Sequence, residues 1–212
     1  MNQSSLQSTY FLNFDHSSVQ KFAEEHTRGL SGAKALSTEL FRVVRDRFVY
    51  DPYNLNLNPE AMRASEILKR PSAYCNEKAI VLAASLRYLG VPTRLFFGNV
   101  RNHLATEKLT ALLKTDVMAF HGCVEIEIDG RWLKATPAFN ATLCHKLGVE
   151  PLEFDGESDA VFQQYSKDGR RFIDYVEVHG SFDDMPHQQF VAELQKHYGH
   201  VLRDNGVVTF RI

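Results

Sequence analysis

Two stretches of the chain carry contrasting periodicities. Ile80, Val81, Leu82, Ala83, Ala84, Leu86 and Leu89 form an apolar band too broad for a surface helix, which predicts a central, buried one. Gly90 and Pro92 supply its stop signals, a C′ glycine and a breaker just beyond it. Upstream, Ser72 is the expected N-cap, and the charge of Glu77 suits the positive end of the helix dipole. From Phe120 to Ile128 the pattern alternates instead. Phe120, Val124, Ile126 and Ile128 fall on one face, His121, Cys123, Glu125 and Glu127 on the other. Asp129-Gly130 then predicts a type I′ hairpin. Counting outward from that turn pairs Ile128 with Arg131, Glu127 with Trp132, Glu125 with Lys134 and Cys123 with Thr136. The opposed charges of Glu125 and Lys134 support the count.

Around these anchors the pattern is coarser. Residues 1–15 are polar around Tyr10, Phe11, Leu12 and Phe14, as a short strand or a packing arm would be. Val19 to Tyr50 reads as helical with a break near Gly29-Leu30-Ser31-Gly32. Asp51 to Pro59 reads as a loop, Glu60 to Lys69 as a short helix and Thr93 to Val100 as a strand. Leu104 to Thr115 is an amphipathic helix, either a lid over a cleft or a plain connector. Phe172 to Val178 reads as a strand, Pro186 to Tyr198 as a helix and Gly206 to Ile212 as a further strand. No internal repeat or low-complexity linker divides the chain, so residues 1–212 read as one α+β domain.

Composition narrows the function classes. The 212 residues carry a formal net charge of −2 with both signs interspersed, which argues against a nucleic-acid binder and a basic membrane patch. No apolar run is long enough to span a bilayer, and Met1-Asn2-Gln3-Ser4-Ser5 carries no signal-peptide pattern. Three cysteines make no disulfide framework and suit a reducing compartment, so the cytoplasm is expected.

The candidate chemistry centres on Cys75. A thiol at a helix start lies near unpaired backbone N–H groups, which favour thiolate and lower its pKa. The same N–H groups suit an oxyanion on a substrate carbonyl. A buried structural cysteine is the competing reading. His121 on the alternating strand is the expected partner, and Thr136, on the same face, is placed to orient it. Cys123 shares that face but lacks a helix end, so packing explains it. Cys144-His145 with His121 or His103 shows no zinc spacing, and no metal or cofactor is expected. His16, His26, His179, His187, His197 and His200 sit among polar residues and read as solvated or simply hydrogen-bonded. His103 reads as a loop residue. Asp155-Gly156 and Asp168-Gly169 read as turns, since the alternating acids of a calcium loop are missing.

Three blocks together resemble the transglutaminase-like superfamily, in particular its bacterial stand-alone members. Cys75-Asn76-Glu77-Lys78-Ala79 followed by Leu89-Gly90-Val91-Pro92-Thr93-Arg94-Leu95 is similar to the family's cysteine helix and its Gly-Ile-Pro-Ala-Arg stop. His121 through Glu125, with Gly130 and Trp132, resembles its His-x-x-x-Glu strand and Gly-x-Trp return. Val44-Arg45-Asp46-Arg47-Phe48-Val49-Tyr50-Asp51 resembles the segment preceding the cysteine. Pro151-Leu152-Glu153-Phe154-Asp155-Gly156 and Asp168-Gly169-Arg170 resemble the tail. The agreement covers a core from about residue 36 to 140, roughly half of the chain, and leaves 141–212 as a C-terminal extension.

The resemblance implies a cysteine-protease-like fold, an antiparallel sheet packed on a central helix with the cysteine at its N-terminus. It also implies acyl transfer or hydrolysis on an amide or ester of a protein or peptide, through a Cys75–His121 pair and a thioester. One position departs. The family places Asp four residues after the Trp, where this chain has Thr136, whose hydroxyl accepts a hydrogen bond but carries no charge. Asn140 is the rival for orienting the imidazole. A retained scaffold that only binds protein or peptide is the alternative function. The sequence carries no signal for oligomeric state.

Overall fold

The computed structural model describes residues 3–102, 107–161, 173–202 and 207–209. His103, the start of the 104–115 segment, Asp168-Gly169-Arg170, Phe172 and both ends of the 206–212 strand lie outside the described residues. The helices are α1 (Ser17–His26), α2 (Ala33–Arg47), α3 (Ala64–Ile67), α4 (Cys75–Tyr88), α5 (Glu107–Leu113), α6 (Ala141–Leu147) and α7 (His187–Tyr198). The first strands are β1 (Val49–Tyr50), β2 (Asn54–Asn56), β3 (Ser72–Ala73) and β4 (Thr93–Asn102). They are followed by β5 (Val117–Ile128), β6 (Arg131–Ala135), β7 (Ile173–Phe182) and β8 (Val207–Thr209).

Helix α4 is the hub. Every residue from Cys75 to Arg87 is buried, as its unbroken apolar band requires. Each fully buried aliphatic side chain contributes about 1.5–3 kcal/mol. Gly90 adopts φ 79° at the helix end, where the Gly90 and Val91 N–H groups close onto Arg87 and Leu86 carbonyls. Helices α1, α2 and α3 pack on α4 from one side and strand β5 from the other. Two buried cations pin it to its surroundings. Lys78 Nζ donates to the carbonyls of Arg45 (2.9 Å), Phe48 (2.9 Å) and Ala138 (2.7 Å). Arg87 donates to the carbonyls of Gln7, Thr93 and Asp183.

The central sheet is antiparallel in the order β6-β5-β4-β7. The hairpin register follows the sequence count: Ile128 pairs with Arg131, Glu127 with Trp132 and Glu125 with Lys134. Asp129 (φ 52°) and Gly130 (φ 76°) both take the left-handed backbone that a type I′ turn demands. Strand β7, from the expected extension, adds to the sheet edge beside β4, and α7 packs against β5. The 51–59 segment is not a plain loop, since β2 pairs antiparallel with β8. Residues 3–6 form a 3-10 turn and not a strand, while Phe11 and Leu12 enter the core. The helix expected from Glu60 splits into a 3-10 turn (Pro59–Met62) and α3, and α6 was not foreseen.

Candidate active site

The end of α4 that carries Cys75 is held from both sides. Tyr74, and not Ser72, is its N-cap, because Ser72 is spent in β3 beside β1. The Glu77 carboxylate accepts the Tyr74 N–H (3.2 Å) and Arg70 Nη1 (2.8 Å), which fixes the chain direction entering the helix. Burial pushes the Glu77 carboxyl up to about 7, with Arg70 pulling it back down.

The first turn of α4 docks on the Phe120–Gly122 stretch of β5. Asn76 Nδ2 donates to the Phe120 carbonyl at 3.1 Å, and the Cys75 thiol donates to Asn76 Oδ1 at 3.4 Å. The Gly122 N–H is directed at the same sulfur. Only glycine fits at 122, because a Cβ there would stand 2.6 Å from Asn76 Oδ1 and 2.8 Å from the Phe97 ring. Asn76 and Gly122 are therefore part of the site, and the sequence reading assigned neither a role. An amide directly after a helix-start thiol was the available signal for Asn76.

The expected thiolate is not what this environment favours. Burial pushes the Cys75 thiol up to about 11, while the N–H groups of Gly122, Asn76 and Cys75 itself pull it only partly back. His121 is 5% exposed, and burial pushes its imidazole down to about 4. Near neutral pH the pair is an uncharged thiol and an uncharged imidazole. The helix end was correctly located, but the dryness around it outweighs its partial charge.

His121 sits between the two points where α4 touches β5, pairing with Gly98 across the sheet. The thiol hydrogen goes to the Asn76 amide oxygen. By register His121 shares a face with Phe96 and Cys123. Just before it, Phe120 takes φ 55° at a bulge in the β4–β5 ladder. Thr136 is buried beside the Cys123 thiol, and its N–H donates to Ala160 O at 2.9 Å. Asn140 caps the start of α6; its amide accepts the Tyr50 N–H (3.0 Å) and donates to Thr142.

A cavity of ≈ 60 Å³ opens beside Cys75, walled by Tyr50, Tyr74, Leu109, Phe120 and Tyr198 among others. Leu109 and Leu113 reach it from α5, so the amphipathic segment forms part of the wall and is more than a connector. The hydroxyls of Tyr50 and Tyr74 are buried there with no hydrogen-bond partner among the described residues. By contrast, the Tyr198 hydroxyl donates to Val117 O (2.7 Å) and accepts the Ala119 N–H (2.6 Å).

The remaining candidates fall elsewhere. Cys123 is buried and pushed up to about 12, chiefly by burial, and Cys144 packs with Val149 and Phe139 in α6. None of the three cysteines is in a disulfide. His16 caps α1 and His187 meets Leu57 O at 2.8 Å, ordinary hydrogen-bonded roles. Asp155 accepts the N–H groups of Glu157 and Ser158, as a turn residue does. Among the described residues no helix is long and apolar enough to cross a membrane.

Three solved structures align with part of this chain. A candidate cysteine protease of Cytophaga hutchinsonii aligns at 20% identity over 63% of this chain and 40% of its own, with a TM-score of 0.48. The periplasmic domain of TgpA from Pseudomonas aeruginosa aligns at 20% identity over 63% of this chain and 45% of its own, with a TM-score of 0.45. A candidate protease of Parabacteroides distasonis aligns at 15% identity over 62% of this chain and 25% of its own, with a TM-score of 0.40. The chain thus spans less than half the length of each. No curated protein matches it significantly. The profile of the transglutaminase-like superfamily, however, matches residues 20–137, which include Cys75, His121 and Thr136. With an antiparallel sheet packed on a cysteine-bearing central helix, this chain belongs to the transglutaminase-like superfamily.

Proposed function

We propose that the protein is a thiol enzyme acting on an amide or ester carbonyl of a protein or peptide, with Cys75 as nucleophile and His121 as its base. The observation that carries the reading is the placement of Cys75 at the first turn of α4, beside a cavity and next to the His121 stretch. In the resting state the thiol is protonated and the imidazole is neutral, so His121 is in the form that accepts a proton. Attack forms the S–C bond as the thiol proton passes to the imidazole. N–H groups of the first helical turn hold the oxyanion. The imidazolium then gives its proton to the leaving amine or alcohol, and a thioester remains. Water resolves it to an acid, or an amine to a new amide. Thr136 is the positional candidate for orienting His121, since the Asn140 amide is engaged by Tyr50 and Thr142. The one-domain organisation of residues 1–212 and a cytoplasmic location belong to the same proposal.

The test is turnover on a panel of amides, esters and amine acceptors. Cys75→Ala and His121→Ala should each abolish it while leaving the thermal midpoint in place. Full turnover in both variants sinks the proposal. A specific observation favours a second reading, a scaffold that binds protein or peptide without chemistry: burial keeps both reactive groups neutral, His121 shares the Phe96–Cys123 face of β5 while the Cys75 turn docks on the Gly122 face, and Thr136 supplies no charge. That reading predicts no turnover in the parent protein and unaltered peptide binding by Cys75→Ala.

A further inference from the structure

Outside the thiol site, β7 and α7 bring several metal-ligating side chains near one another. On β7, Glu177 and His179 are two residues apart, with His179 at a bulge in the ladder with β4. On α7, Glu193 and His197 are four apart and share one helix face. Three of these side chains converge where α7, packed against β5, passes beside β7. Ligand atoms of Glu177, His179 and Glu193 all lie within 4.8 Å of one another, and His197 Nε2 is 3.5 Å from Glu193 Oε1. That His197 nitrogen is buried and has no hydrogen-bond partner among the described residues. Two carboxylates and an imidazole that converge, with a further imidazole nitrogen beside one of the carboxylates, make a place for a cation.

We propose that Glu177, His179 and Glu193 form a binding site for a divalent transition-metal ion, with His197 beside Glu193 as a further ligand; zinc matches such a set of imidazole and carboxylate donors. Zinc ligands at about 2.0–2.2 Å stand roughly 3.4 Å apart in a tetrahedron. The support around the ligands is already built. Buried Asn99 donates to Glu177 (2.9 Å) and Glu193 (3.4 Å), and its Oδ1 meets the His179 ring at 3.0 Å. Lys196, 2.9 Å from Glu193 and largely exposed, takes the position of a competing cation. The sequence hid this site because each pair is unremarkable alone, and only the long-range pairing of β7 with β4 brings β7 to α7.

Cobalt(II) titrated into chelator-stripped protein, read by visible absorption and then displaced with zinc, tests the site. One equivalent should bind without a thiolate charge-transfer band, and zinc should displace it. Glu177→Gln, at an exposed position, and His179→Gln should each weaken binding roughly tenfold or more. Lys196→Ala should tighten it. The proposal is overturned if the parent takes up no cobalt, if a thiolate band is present, or if both ligand variants remain folded and bind as tightly as the parent.

Discussion

Strand β5 looks into two different environments. Toward α4 it presents Val124 and Ile126, fully buried, with Phe120 stacked on Phe97 at 4.7 Å and Gly122 pressed against Asn76. Away from α4 it carries a ladder of charges. Arg94 lies over the Trp132 ring at 3.9 Å and pairs with Glu125 at 3.0 Å, while Lys134 lies over Phe96 at 4.0 Å. Charges persist on the second face because each has a partner and Arg94 and Lys134 keep some water. The first face is dry, and it holds its thiol protonated even at a helix N-terminus. Local dielectric, more than the helix end, sets the state of Cys75.

The sharpest test of that contrast is the pH profile of Cys75 alkylation. With its pKa raised to about 11, the thiolate fraction should climb about tenfold per pH unit, roughly a hundredfold between pH 7 and 9. Peptide-resolved iodoacetamide labelling reads this directly. A plateau below the ordinary thiol value of about 8.5 would break the comparison. Next in size, Phe97→Ala empties the dry face and should cost about 3–5 kcal/mol in urea unfolding. Gly122→Ala should cost about 1–3 kcal/mol, since its Cβ meets Asn76 and Phe97, and should also alter the Cys75 labelling rate. On the charged face Glu125→Gln should cost only about 1 kcal/mol and leave the labelling unchanged. Equal costs for Gly122→Ala and Glu125→Gln would erase the distinction between the faces.

The parts of this site that were legible in the sequence are those governed by local rules. The hairpin register follows from Asp129-Gly130 and alternation, and the span of α4 follows from its apolar band and Gly90. The α+β class with a central cysteine helix followed from the resemblance. What was not legible depends on distant pairing. The placement of β7 beside β4, the β2–β8 pair and the bulge at Phe120 arise from contacts that no local period encodes. The protonation of Cys75 was misread for the same reason. A helix end is visible in sequence, but the Phe120, Tyr50 and Tyr198 side chains that dry it come from three remote segments.

Lys78 carries a consequence for how the molecule assembles. Its three acceptors come from residues 45, 48 and 138, so they gather only when the end of α2, the start of α4 and the chain beyond β6 have met. Burial draws the amine down to about 7, yet three carbonyls match the three hydrogens of an ammonium. A core that closes with one carbonyl missing strands a donor in hydrocarbon, at a cost of about 1–3 kcal/mol. The lysine thereby acts as a proofreader, penalising collapsed chains until the segments around Cys75 are in register.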